Sequence, residues 1–403
     1  MDSSFLGGEL DHTAADIGVW LIGARGSISS VTIAGHAALL KGSPALGLVT
    51  ERAPFRAVDL PRLDQLVFGG HEIQGGTLRE RARPVLDDCG LPGLADHLGA
   101  ELDAVEARIR PGVVRGGGKQ ITALGEQHIE VATDAEAVEQ IRKDLDAFRA
   151  STGVGRIVVI NLASTEPRPP AHPSWADPDQ LLAALAGPTS ILPPSSLYAC
   201  AALLGGDAYV NFTPSLGSRI PALEALALRT GALHGGSDGK TGETLVKSVL
   251  AELFARRNLP VLSWFGQNIL GNGDGRVLDD PDNKATKVRS KDHLLPKMLG
   301  YAPESKVGID YVGSLGEWKI AWDHIHFQGF LGGRMNMQFT WTGCDSLLAA
   351  PLVLDLVRLT AFAQARGEAG VLTALASFFK DPMGIDEQRL VAQDELLLRW
   401  LAG

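Results

Sequence analysis

Asp16-Ile-Gly-Val-Trp-Leu-Ile-Gly23-Ala-Arg-Gly26-Ser-Ile-Ser-Ser30 is the stretch on which the fold turns. Its first eight residues are a mostly apolar run ending in glycine. Residues 29–40 are Ala-rich with aliphatics at helical spacing, so strand, tight turn and helix is the simplest reading. Such a turn aims backbone N–H groups and a helix N-terminus at an anion, which suits a dinucleotide pyrophosphate. The spacing is G-x-x-G rather than G-x-G-x-x-G, and by itself it fits an ordinary strand-to-helix connection equally well. Outward from this turn, residues 45–50 and 63–68 have the pattern of short buried strands. Residues 135–150 form an amphipathic helix, with Ala137, Val138, Ile141, Leu145 and Phe148 near one face. Residues 155–162 are a β-branched buried strand. Strands alternating with helices predict an α/β fold on a parallel sheet.

Further along, residues 167–194 are Pro-rich and are expected as an exposed excursion. Helices are expected at 195–204, 221–229, 242–257 and 346–366, and strands at 208–211, 259–264, 310–312 and 335–341. Residues 268–282 have the composition of a Gly/Asn/Asp loop. No single linker divides the chain, so a second domain is expected as an insertion.

The chain has 403 residues, 45% of them apolar, enough for a sizeable core. Its net charge of −10 argues against a nucleic-acid partner. Three cysteines, Cys89, Cys200 and Cys344, are too few and too scattered for a disulfide framework or thiolate zinc cluster. The longest uncharged stretch, residues 180–206, is broken by Gly187, Pro188, Pro193 and Pro194, so no membrane span is expected there. The acidic first 13 residues do not have the form of a secretory signal, and a cytoplasmic protein is the expectation.

Several segments could carry chemistry. No acid stands about 20 residues after the glycine turn, where a ribose partner commonly sits; Glu72, just past a strand, is the better candidate than Glu51. Asn161-Leu-Ala-Ser164-Thr165-Glu166 follows the clearest strand, at the sheet edge where ligands bind. Gly235-Gly-Ser-Asp238-Gly-Lys240-Thr241-Gly-Glu-Thr-Leu-Val-Lys247 resembles the end of a P-loop. The full motif fails because His234 stands where its first glycine belongs. Lys240 and Lys247 are expected on one helix face, where two ammonium groups hold a phosphate or a developing oxyanion, or simply face solvent. Asn268-Ile-Leu-Gly-Asn272-Gly-Asp274-Gly275 lacks the acids of a calcium loop. The histidines show no zinc spacing, and no metal is expected.

Taken in order, these segments resemble the inositol-1-phosphate synthase family. The matching residues are Tyr209-Val-Asn211-Phe-Thr213-Pro214, Gly236 to Leu250, Asn268 to Gly275, Arg289-Ser-Lys291, Gly316-Glu-Trp-Lys319 and Asp345-Ser346-Leu-Leu-Ala-Ala-Pro351. Gly23-Ala-Arg-Gly26 looks like the shorter bacterial and archaeal branch. The resemblance implies a Rossmann-type NAD-binding domain from residues 1–216 and 311–403, with an inserted α+β catalytic and tetramerisation domain at 217–310. It implies NAD on Gly23, Ala24, Arg25, Gly26, Ser27, Glu72, Ser164, Thr165, Asp238, Thr241, Asn272, Asp274, Asp345 and Ser346. It implies Lys240, Lys247, Lys291, Lys319 and Asp238 as catalytic, the substrate phosphate on Asn211, Thr213 and Ser215, and a homotetramer. The chain departs from the family at Ser237, Leu245, Gly273, Glu317-Trp318 and Cys344.

The reaction so implied is the cyclisation of glucose 6-phosphate to inositol 3-phosphate without net redox: oxidation at C5, enolisation, aldol closure and reduction. Each step places negative charge on oxygen, which lysines in a water-poor site stabilise. The alternatives are a related cyclase with a different inositol product, a sugar-phosphate dehydrogenase with net hydride transfer, and a non-catalytic NAD sensor.

Overall fold

The computed structural model describes residues 16–277 and 294–403. Seven strands, β1 (Ile17–Ile22), β2 (Leu66–Glu72), β3 (Ile109–Pro111), β4 (Arg156–Asn161), β5 (Ala208–Asn211), β6 (Leu233–Gly236) and β11 (Gly370–Val371), form one sheet. Their order is β11-β6-β5-β4-β1-β2-β3 and every pairing is parallel. Central β1 is buried on both faces. Val19 and Leu21 pack with Val158, Ile160 and Val210 on one side, while Trp20 and Ile22 pack with Ile157, Val159 and Tyr209 on the other. A strand covered twice needs no polar alternation, which is why its sequence is almost continuously apolar. Helices α1 (Ser27–Leu40), α2 (Leu78–Asp88) and α6 (Asp345–Ala365) cover the first side; α3 (Asp134–Thr152) and α4 (Pro194–Leu204) cover the second. The strand order reverses direction between β1 and β4, and a ligand crevice opens outside the carboxyl ends of strands at such a point.

A second sheet has the order β10-β9-β7-β8, built from β7 (Val261–Leu270), β8 (Glu304–Tyr311), β9 (Trp318–Gln328) and β10 (Arg334–Cys344). Helix α5 (Glu243–Arg256) and the short helix Leu294–Leu299 cover one face of it, through Phe254, Trp264, Leu294, Leu295 and Ile325. The insertion is therefore displaced from the expected 217–310. β6 still belongs to the parallel sheet, and all strands from 304 to 344 belong to the second one, so the return begins at α6. The strand at 310–312 and the one at 335–341 had suggested an earlier return.

Two local expectations fail for identifiable reasons. Residues 45–50 are no strand: the Val49 and Thr50 N–H groups donate to the Asp355 carboxylate of α6, at 2.7 and 3.0 Å, instead of joining a ladder. The result is a tight 3-10 turn, Val49–Glu51. The 167–194 stretch is packed rather than exposed, because Trp175, Leu181, Leu185 and Leu192 enter the core on the α3 side. Helix α6 is long and apolar enough to cross a bilayer, yet 78% of its most apolar stretch is buried inside the protein. Its length serves the core, where Asp355 and Arg358 are also buried.

Candidate active site

The Gly23–Ser27 turn lies at the reversal point. The Gly23 and Ala24 N–H groups both donate to the His71 carbonyl, at 2.9 and 3.1 Å, tying the turn to the end of β2. Gly23 has φ +80°, and a Cβ there would lie 3.2 Å from Ala163 Cα; only glycine takes both constraints without cost. Gly26 is the N-cap of α1. It offers no side chain to the first-turn amides, and that turn carries no acid. The positive end of a 14-residue helix thus faces the crevice. Arg25 also lines the cavity, with its guanidinium engaged: it donates to Glu106, at 2.6 and 3.1 Å, and to the Gln74 carbonyl. Glu72 holds the turn through three backbone amides, those of Arg25, Ile73 and Gln74. Its carboxylate is thus largely engaged in the frame of the site.

Ser27 and Ser346 stand at the N-termini of α1 and α6, and both hydroxyls donate to Glu317, at 2.9 and 3.2 Å. Burial pushes the Glu317 carboxyl upward. Ser164, Thr165, Thr241, Asn272, Asp345 and Asp238 all line the same cavity of ≈ 400 Å³. Asp274 lies on the helix Gly273–Val277, and Lys291 lies outside the described residues.

The lysines separate. Lys240 precedes α5 instead of sharing a face with Lys247. Its ammonium donates to Gln393 of α7 (Leu390–Ala402) at 2.8 Å, and burial, then the charge of Lys380, lower its pKa to about 8. Lys247 lies between Glu243 (2.8 Å) and Asp323 (3.4 Å), over the Trp264 ring, and those carboxylates hold its pKa up against desolvation. That geometry makes it a buried link between α5 and the second sheet. Lys319 pairs with Asp345 at 3.4 Å, and Thr241 donates to the other oxygen of the same carboxylate.

Lys380 went unnoticed in the sequence. It lines the cavity and donates to Asp238 at 2.8 Å. Asp238 has φ +61°, a costly conformation for a non-glycine residue, and is held by backbone bonds to Thr213 and Lys380. The chain after β6 is stitched to residues 378–383: Lys240 N–H donates to the Phe378 carbonyl, and Met383 N–H to the Gly236 carbonyl. The pair is 142 residues apart in the chain; the one signal was a lysine closing Ser377-Phe-Phe-Lys380.

Of the proposed phosphate ligands, Thr213 lines the cavity. Asn211 is spent internally: its amide donates to the Ser215 carbonyl, and its oxygen accepts from Asn161 and Thr213. Ser215 is buried, and its hydroxyl accepts from the Glu166 N–H. Both therefore build the β5 exit. Glu166 also lines the cavity, accepts from the Ser195 N–H and hydroxyl, and is pushed by burial to about 7.

An uncapped helix N-terminus, a glycine that lets the backbone approach, and a cavity bounded by α1, β2, α6 and the chain leaving β4 fit a dinucleotide. A family model described as Myo-inositol-1-phosphate synthase, an NAD-binding family, matches residues 48–401. The chain is 33% identical over 422 residues to Inositol-3-phosphate synthase 1 of Bacteroides thetaiotaomicron, covering 97% of this chain and 95% of that protein. It is 32% identical to Inositol-3-phosphate synthase 1 of Rattus norvegicus over 82% of this chain, and spans 62% of that longer relative. The structure of inositol-3-phosphate synthase from Caenorhabditis elegans superposes with a TM-score of 0.87 at 24% identity, over 97% of this chain and 86% of that one. With the glycine turn, the doubly covered parallel sheet and the inserted second sheet in place, these matches put the chain in the myo-inositol-1-phosphate synthase family, whose cofactor is NAD.

Proposed function

We propose that this protein converts glucose 6-phosphate to inositol 3-phosphate with no net redox change. The observation that carries this reading is the Lys380–Asp238 pair lining the cavity that the uncapped N-terminus of α1 also lines, with Lys240 buried beside Lys380. Bound NAD supplies a reversible hydride acceptor. The chain's own residues supply the rest. The Gly26–Ser27 backbone receives the pyrophosphate, and Thr213 offers a hydroxyl to the sugar phosphate. Lys380, ion-paired with Asp238, stabilises oxyanions as they form. Lys240, whose pKa is about 8, holds a useful neutral fraction near neutrality and so can take a proton from carbon. Lys319 fixes Asp345 at the N-terminus of α6.

A dehydrogenase with net hydride transfer would accumulate NADH. Incubation with glucose 6-phosphate and NAD, followed by phosphorus NMR and nicotinamide absorbance, separates the two. An inositol phosphate without net NADH supports the cyclase; stoichiometric NADH with a ketone product overturns it.

The finer assignments follow from the same reading. The protein works in the cytoplasm, where NAD and sugar phosphates meet, and as a homotetramer. Supporting the assembly, the uncovered face of the second sheet presents Trp318 and Trp322, each 37% exposed, with Phe265 5.7 Å from the Trp322 ring.

A further inference from the structure

Cys89 and Cys344 are 255 residues apart in sequence, yet their Sγ atoms are 2.7 Å apart, about 0.7 Å beyond the ~2.05 Å length of a disulfide bond. Cys89 ends α2 and Cys344 is the N-cap of α6. Both helices line the cofactor cavity, α2 through Arg81, Pro84 and Val85, α6 through Asp345, Ser346 and Ala349. Beside the thiols, the Glu317 N–H donates to the Asp88 carboxylate and the Trp318 indole to the Asp88 carbonyl. The pair thus sits on the seam where the parallel-sheet wall meets the chain returning from the second sheet. The two thiols also differ chemically. Contact with Cys89, then the amides of Leu347 and Ser346 at the head of a 21-residue helix, hold Cys344 below the ordinary thiol range. Contact with Cys344 and burial raise Cys89. A thiolate at a helix N-terminus next to a resolving thiol is the arrangement thiol–disulfide exchange requires. All three thiols are buried, but Cys89 and Cys344 keep 7% and 4% of their surface open to solvent, whereas Cys200 keeps none and, pushed up to about 12 by burial, is the internal control.

We propose that Cys89 and Cys344 are a redox-active dithiol that closes to a disulfide by exchange with a small-molecule disulfide such as oxidised glutathione, stapling two walls of the cofactor cavity together. The Cys344 thiolate attacks one sulfur of the small disulfide, forming a mixed disulfide and releasing one small thiolate. Cys89, giving up its proton, then attacks the Cys344 sulfur, forming the protein disulfide and releasing the second small thiol. Two protein thiols are oxidised, one small disulfide is reduced to two thiols, and the protons pass to the released thiols.

The covalent step is independent of the assigned reaction, so its test does not use turnover. The reduced full-length protein is incubated with oxidised glutathione, quenched in acid, and alkylated under denaturing conditions. Free thiols should fall from three to one, with a mass loss of two hydrogens and a tryptic peptide pair joined through Cys89 and Cys344. Cys200→Ser should cross-link in the same way, and Cys89→Ser should yield only a mixed disulfide. NAD release from the cross-linked protein, followed by a fluorescence chase, should slow several-fold relative to the reduced protein. Three retained thiols, separate glutathione adducts without a cross-link, or a complete cross-link with unchanged NAD release would each overturn the proposal.

Discussion

At the scale of single residues, burial and neighbouring charge set what each group can do. Lys240 is inside the protein, touched by Gln393 and faced by Lys380, and its pKa of about 8 follows from desolvation first and like charge second. If its neutral amine takes a proton, turnover should rise with pH towards about 8. Gln393→Glu places a carboxylate beside the ammonium, favours the charged form, and should move that limb of the pH–rate profile to higher pH; an unmoved limb would exclude Lys240 as the titrating base. Lys240→Ala and Lys380→Ala should each cost ~100–1,000-fold in turnover, by analogy with the loss of an oxyanion donor. Thermal melts and NAD binding establish whether the fold survives. Glu166 gives a different readout. Its folded-state pKa, about 7, is raised above the ordinary 4.5 by burial. The folded protein therefore holds this proton more tightly than the unfolded chain, and the stability it contributes is full below about 4.5 and lost as pH climbs through about 7. The loss is at most ~3 kcal/mol. Glu166→Gln should flatten that part of the pH–stability curve; identical curves for variant and wild type would show that the carboxyl does not titrate there.

At the scale of elements, what was legible depended on how local the cause was. The β1–turn–α1 unit could be read directly, because a strand buried on both faces and a glycine turn advertise themselves within 15 residues. The 3-10 turn at Val49–Glu51 could not: its amides are satisfied by Asp355, 305 residues away. Burial pushes that carboxyl to about 6. Asp355→Leu strands the buried Thr50 N–H and hydroxyl and the half-buried Val49 N–H, and should destabilise by ~2–4 kcal/mol in chemical denaturation. Lys380 was illegible for the same reason, since only the pairing of residues 236–240 with 378–383 brings it to Asp238. The family resemblance named Lys240, Lys319 and Asp345 but not Gln393, nor the pairing of Lys319 with Asp345, nor the internal role of Asn211, because hydrogen-bond closure is a property of the folded loop. The glycine turn makes a sharper claim. At Gly26 a side chain would meet its own turn, with Cβ 3.1 Å from the Gly23 carbonyl oxygen, and would project where the pyrophosphate backbone contact forms. Gly26→Val should therefore abolish measurable NAD binding in calorimetry while leaving the melting temperature within a few degrees; retained affinity would move the cofactor off this turn.

At the scale of the whole molecule, the two sheets meet different fates. The parallel sheet is covered on both sides by helices, whereas the second sheet is covered on one side only. β9 alternates accordingly: Lys319, Ala321, Asp323 and Ile325 are buried, while Trp318 and Trp322 are exposed. Indole rings half open to water on a four-stranded face are what an isolated chain would replace by polar residues, and their burial in an interface is worth about 25 cal/mol per Å² of apolar surface. Assembly is opposed by the net charge of −10 on each chain, a long-range repulsion that salt screens within about 10 Å at 0.1 M. The proposed tetramer should accordingly form at micromolar concentration and tighten as salt rises, a trend opposite to that of an interface held by surface ion pairs. Trp322→Glu adds a charge to the centre of the open face, where its neighbours are Phe265, His324 and Gln338. Buried unpaired in an assembled face that carboxylate is prohibitive, but on a lone chain it is solvated and harmless. Light scattering should therefore show dissociation to smaller species, with unchanged circular dichroism. A Trp322→Glu protein that remains fully assembled would place the interface elsewhere, and a wild type that is monomeric at every salt concentration would remove assembly from the description altogether.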